Sequence, residues 1–257
     1  MRHLTTLLLC LLPALALGQS AVTVRGPAGA PGSDGASGSN AAAPLSLPGT
    51  PVLQADGSTL ISAEDGEIAS VSGSPRLLPW QGRTIIQPNG GYYYWSDLAK
   101  PSAWTVAAVF RQDSLAAEPR VMGGITSASA TAWGYLLVRS DGRLEYQFGD
   151  GTNFSQGRSP ASSIAAGQWH TVVVTYAGGG ATEAVVYIDG VSVAVTTIST
   201  AASSTAGAAP IFSCGNGGNI SSNKPTLVAA CIAWDVALDA GQVATATATL
   251  QSAFGLE

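Results

Sequence analysis

The segment from Gln168 to Gly190, QWHTVVVTYAGGGATEAVVYIDG, constrains the fold more than any other stretch. Trp169 to Tyr176 and Glu183 to Asp189 are β-branched and aromatic runs, separated by a loop that contains Gly178, Gly179 and Gly180. Such runs favour extended backbone and a glycine cluster interrupts it, so the pattern predicts a hairpin. The second arm ends in Asp189-Gly190, a pair that tolerates positive φ, and the chain is expected to reverse there into a third strand. The stretch carries no catalytic signature.

Charge is sparse in the rest of the chain. The 257 residues sum to a net charge of -5 with no run of Lys or Arg. A chain of this length suits one all-β core with accessories, and the missing basic patch argues against nucleic acid or an anionic membrane as partner. Residues 1–18 place Arg2 and His3 before an apolar centre, Leu7 to Leu12, and a small-residue end at Ala14, Ala16 and Gly18. These are the three regions of a secretory signal peptide, and the centre is far shorter than the about 20 apolar residues of a membrane anchor. The expected location is extracellular, without membrane insertion.

Beyond the leader the cysteines are Cys214 and Cys231. An even number in an oxidising compartment points to a disulfide. If Ile211 to Cys214 and Leu227 to Trp234 pair as a hairpin about Ser221-Ser222-Asn223, the sulfurs come opposite each other. Two buried free thiols are the other reading.

From Gly26 to Asn40 the sequence divides into GPA, GAP, GSD, GAS and GSN. Glycine at every third position, with Pro27 and Pro31 in the other slots, is the collagen pattern, in which only glycine fits the crowded three-chain axis. Residues 19–50 therefore read either as a collagen-like neck that supports a homotrimer, running into a Pro/Ala/Ser linker, or as a flexible linker throughout.

Residues 51–257 form the expected head. Leu53 to Asp56, Thr59 to Ser62 and Arg83 to Gln87 are short strands, Asn89-Gly90-Gly91 is a turn, and Tyr92 to Trp95 is a strand with aromatics on both faces. Trp104 to Arg111, WTVAAVFR, is an apolar run of strand length, as in a central strand buried on both sides. Gly134 to Ser140 and Arg143 to Gly149 flank Asp141-Gly142, a strong hairpin signal. In the second arm Leu144, Tyr146 and Phe148 alternate with Glu145 and Gln147, predicting one core face and one wet face. Val191 to Thr197 is expected as one further strand. Asp239 and Gln242 match a capping box, and Val243, Thr247, Leu250 and Phe254 share a helical face, predicting a short C-terminal helix. Many short strands and one terminal helix give the fold class: an all-β, antiparallel β-sandwich of jelly-roll type.

Trp104-Thr105-Val106 with Phe110, the Gly134-to-Phe148 hairpin, Gln168-Trp169-His170 with Val172 and Tyr176, Val186 to Gly190, and Ala233 to Leu238 with Val243 fall in an order that resembles laminin-G-like, concanavalin A-like lectin/glucanase domains. The resemblance runs from about Val52 to the C-terminus. Val228-Ala229-Ala230-Cys231-Ile232 departs from the family's usual Gly-x-Ile-Asp-Glu strand. The Glu-x-Asp-x-x-Glu motif of its common hydrolase branch is absent, which counts against glycoside hydrolysis by paired carboxylates. Glu64, Asp65 and Glu67 fall in a turn, and Glu145 and Glu183 lie on separate strands. No catalytic residue and no metal ligand set is assigned.

Carbohydrate recognition uses aromatic faces with amide and carboxylate partners, and the candidates are Tyr93, Trp95, Trp133, Asp150 and Asn153. Each aromatic also has a core reading, and Trp133 is the strongest candidate because it is placed in a loop, Ser127 to Trp133. The resemblance makes calcium conceivable at Asp150, Thr152 and Asn153. His170 reads as a structural strand residue. Asn153-Phe154-Ser155 and Asn219-Ile220-Ser221 match the glycosylation acceptor pattern. The expected function is secreted, non-enzymatic binding of a glycan or cell-surface polymer. A structural fibre, appendage or virion spike subunit is the alternative, and a glycoside hydrolase the weaker one.

Overall fold

The structure is a computed structural model, and it describes residues 45–57, 59–61, 69–96, 98, 101–124, 133–178, 183–200, 202, 212–215 and 226–256. The leader, the Gly-X-Y neck, the turn at Glu64 to Glu67, the Asn219 acceptor and residues 127–132 lie outside them. In chain order the strands are β1 (Leu53–Asp56), β2 (Thr59–Ile61), β3 (Ser70–Ser72), β4 (Arg76–Trp80), β5 (Arg83–Gln87), β6 (Tyr92–Trp95) and β7 (Trp104–Gln112). They continue with β8 (Arg120–Gly124), β9 (Trp133–Val138), β10 (Leu144–Gly149), β11 (Phe154–Arg158), β12 (Trp169–Tyr176), β13 (Val185–Ile188) and β14 (Val191–Val193). After β15 (Thr196–Thr200), β16 (Phe212–Gly215) and β17 (Thr226–Trp234) comes helix α1 (Ala240–Phe254).

These strands make an antiparallel sandwich. One sheet has nine strands in the order β14-β13-β12-β7-β17-β1-β2, with β5 also beside β17 and β4 beyond β5. The other has eight, in the order β15-β11-β10-β9-β8-β16-β6-β3. The predicted hairpin of β12 and β13 pairs Val172 with Ile188, and the Asp189-Gly190 turn, with φ of 51° and 82°, returns the chain into β14. Positive φ at both turn positions matches the right-handed twist of the strands it joins.

Alternation along β7 fills two cores. Trp104, Val106, Ala108 and Phe110 point between the sheets, while Ala107 and Val109 point to the outer side of the nine-stranded sheet. That side is covered by α1, through Val243, Ala246, Leu250 and Phe254. Trp169 and Tyr187 pack here too, under the helix, and not between the sheets. The helix begins as predicted: the Asp239 carboxylate accepts from the Gln242 N–H at 2.9 Å, and the Gln242 side chain accepts from the Asp239 N–H at 3.0 Å.

Three expectations change. Residues 45–50, read as linker, are bound to the head: Leu45 is buried beside α1, and the Trp234 indole N–H donates to the Pro48 carbonyl at 2.9 Å. Val191 to Thr197 is two strands in different sheets, because the chain passes at Ala194 and Val195 from the edge of the nine-stranded sheet to the edge of the eight-stranded one. Cys214 and Cys231 are disulfide-bonded, but not across a hairpin. Cys214 lies on β16 in one sheet and Cys231 on β17 in the other, so the bond ties the two layers through the core.

Closing a loop of this size removes entropy from the unfolded chain. Replacing both cysteines with serine is expected to lower the unfolding free energy by about 3 kcal/mol, read from guanidinium denaturation. An unchanged midpoint would contradict a stabilising role for the inter-sheet tie.

Candidate functional site: the outer face of the eight-stranded sheet

The aromatic candidates belong to the core. Trp133 is the first residue of β9 and 0% exposed, with its ring 4.6 Å from that of Phe212. It is held under Gly124, where a Cβ would come within 2.5 Å of the indole. Tyr93 and Trp95 are on the inner face of β6, and burial pushes the Tyr93 phenol above its ordinary pKa. None of the three has a ring face open to a sugar. On β6 alternation turns Tyr93 and Trp95 inward, and on β9 the irregularity at Gly134, with φ of 57°, turns Trp133 inward while Tyr135 faces out.

Asp150 and Asn153 share the turn between β10 and β11. The Asp150 carboxylate accepts from the N–H groups of Thr152 at 2.9 Å and Asn153 at 2.7 Å. These backbone bonds, Asn153 first, hold its carboxyl below the usual range. One carboxylate oxygen is thus committed to the turn. Among the described residues no three His, Cys, Asp or Glu side chains cluster as a metal-ligand set. His170 is buried and locks two loops. The Ala165 N–H donates to its Nε2 at 3.0 Å, so the ring proton sits on Nδ1 and is donated to Asp189 at 2.8 Å.

The outward positions of the eight-stranded sheet carry a different chemistry. Cross-strand pairing sets one row across it: Ser70, Tyr94, Ser213, Gly123, Tyr135, Gln147, Gln156 and Ser199. Gly123 has a φ of 130°, and a Cβ there would lie 2.4 Å from the Tyr135 Cα, so the row admits no side chain at that point. The Arg120 guanidinium lies 5.5 Å from the centre of the Tyr135 ring, within cation–π range.

Next along β10 is Glu145, expected on a wet face but only 2% exposed. Two arginines enclose it. Arg139 binds it in two places, Nε to Oε2 at 2.6 Å and Nη2 to Oε1 at 2.7 Å, and the Arg158 Nε donates to Oε2 at 2.6 Å. Arg139 also reaches Glu118 at 3.2 Å, and Glu118 accepts from the Ser140 N–H and hydroxyl. A buried carboxylate is tolerated only when paired in this way. Gln147, two residues on and on the same face, is 6% exposed. The Leu144, Tyr146, Phe148 alternation locates this outer face in the sequence. It gives no sign of the arginines, which come from β11 and the β9–β10 turn.

The two layers, the helix packed on one and the polar row on the other define a lectin-like sandwich. The chain belongs to the concanavalin A-like lectin/glucanases superfamily, whose family profile matches residues 88–244. No curated protein matches it significantly. Among solved structures it is similar to the botulinum neurotoxin serotype G binding domain, with a TM-score of 0.59, 12% identity, and coverage of 79% of this chain and 51% of that one. The binding domain of Paraclostridial Mosquitocidal Protein 1 gives 0.53 at 12% identity, covering 72% and 48%. A Trypanosoma rangeli sialidase complexed with 2,3-difluorosialic acid gives 0.51 at 13%, covering 72% and 30%. The chain thus spans about half of each toxin domain and under a third of the sialidase. At these identities the likeness is one of fold.

Burial raises the Glu118 carboxyl, but the Ser140 N–H, Arg139 and the Ser140 hydroxyl outweigh it, and the net shift is downward. A depressed carboxylate stabilises the fold above its unfolded pKa of about 4.3 and loses that contribution as pH falls through the folded value. Glu118→Gln is therefore expected to show a shallower fall in Tm between about pH 5 and pH 3 than the parent chain, by calorimetry. Parallel curves would show that Glu118 does not contribute.

Proposed function

We propose that the chain is a secreted, non-enzymatic recognition module that binds a glycan or cell-surface polymer on the outer face of its eight-stranded sheet. The observation that carries this reading is the polar row on a face turned away from the core, in which Gln147 stands between Tyr135 and Gln156. Amides beside a tyrosine are suited to hydroxyl groups, which donate and accept in turn. The superfamily supports binding of this class, and the leader read at residues 1–18 supports secretion. The carboxylates at this face, Glu118 and Glu145, accept from arginine, N–H and hydroxyl donors. Both are engaged in ion pairs with Arg139, which favours binding over hydrolysis.

Glycan-array binding by the full-length chain, reduced at least tenfold by Gln147→Ala with Gln156→Ala, is the expected result. Absence of binding to every glycan on the array would sink the reading.

The Gly26-to-Asn40 triplets support a second, assembly role, in which residues 19–50 gather three heads, each formed by residues 51–257 together with the bound strap, into a stalked homotrimer. That arrangement also suits a fibre, appendage or virion spike subunit. Light scattering of the chain with and without residues 26–40 should give a trimer and a monomer respectively. A monomer in both removes assembly through the neck.

A further inference from the structure

The arginines of this face differ from the others described. Arg76 is exposed on β4, and Arg83, Arg111 and Arg143 each face one aspartate, Asp56, Asp113 and Asp141. On the outer face of β8 to β11, Arg120, Arg139 and Arg158 stand against two carboxylates, Glu118 and Glu145. The face is locally positive on a chain of net charge -5.

Within the group the roles are unequal. Arg139 is consumed by Glu145 and Glu118. Arg158 donates its Nε to Glu145, while its two terminal nitrogens have no partner among the described residues. It is half-buried and held from behind by a carboxylate that is itself enclosed. A guanidinium fixed through Nε keeps its planar pair of terminal N–H groups facing away, the geometry that takes a carboxylate or sulfate in two parallel bonds. Gln156 is two residues along the same strand face, and Gln147 pairs with it across the strands. Gln147 and Gln156 thus set two amides beside the Arg158 fork on one face of the sheet.

Resting on the recognition reading above, we infer that the site takes an acidic polysaccharide, with a carboxylate or sulfate of the sugar on the terminal edge of Arg158 and neighbouring hydroxyls on Gln147 and Gln156. Glu145 is a positioning residue: it neutralises part of the arginine charge and fixes the direction of the fork. Exposed anionic contacts of this kind weaken with salt.

The test is affinity electrophoresis of the full-length chain through gels containing polygalacturonate, dextran sulfate or neutral dextran. Retardation is expected in one or both acidic gels, falling as salt rises, and which gel retards it separates carboxylate from sulfate. Arg158→Gln should weaken that binding at least tenfold when measured well below its unfolding midpoint, which falls because Glu145 loses one of its two arginines. Arg158→Lys, which keeps the charge without the fork, should also weaken it. Arg76→Gln, which removes an exposed arginine of the other sheet, should stay within twofold. Equal losses for Arg158→Gln and Arg76→Gln, full binding by Arg158→Lys, or no retardation in either acidic gel would overturn the inference. If neutral glycans bind on the array and Arg158→Gln leaves that binding unchanged, the acidic preference fails while the recognition reading stands; if the array is empty as well, both fail.

Discussion

The pairing of β7 with β17 is the constraint on which the rest of the structure depends. The two strands run antiparallel from Gln112 opposite Thr226 to Thr105 opposite Trp234, at the centre of the nine-stranded sheet. Both supply side chains to both cores, so the sheet must be covered on each side, by the second sheet and by α1 with the Leu45 strap. Burying a large apolar side chain contributes about 1.5–3 kcal/mol. A sheet with one face left wet would forfeit that for Val109, Ile232 and Trp234 together.

One irregularity in this pair decides how the layers are joined. Between Val228 and Ala230 the register slips by one residue, so Ala229 and Ala230 both face the helix side. A bulge of this kind exchanges the faces of every residue beyond it. Val228 and Cys231 therefore both point between the sheets, where Cys231 meets Cys214. Without the extra residue Cys231 would face the helix and the inter-sheet disulfide could not form.

The same alternation separates scaffold from surface in the eight-stranded sheet. Its inward positions hold Trp95, Trp133, Tyr146, Phe148 and Phe212, which fill the core and are lost to recognition. Its outward positions hold amides, arginines and the enclosed Glu145. A buried ion pair costs desolvation that its attraction only partly offsets, so it is weak as a source of stability. What such a pair does supply is direction, by fixing two arginine side chains that would otherwise sample many rotamers.

By itself the sequence determined the elements that local chemistry controls. The β12–β13 hairpin, the Asp141-Gly142 and Asp189-Gly190 turns, the buried run of β7 and the Asp239 capping box were legible because each depends on residues close in the chain. Family membership followed from their order. The sequence also placed Glu145 and Gln147 on the face away from the core. Only the tertiary structure decided what that face is, because Arg139 and Arg158 reach Glu145 from two different segments and no local pattern announces the meeting. It likewise decided that Trp133 is core, that Val191 to Thr197 divides between two sheets, and that Cys214 and Cys231 join layers instead of hairpin arms. Each of these turns on which strands become neighbours, and neighbourhood in a sandwich is set by the packing of distant segments.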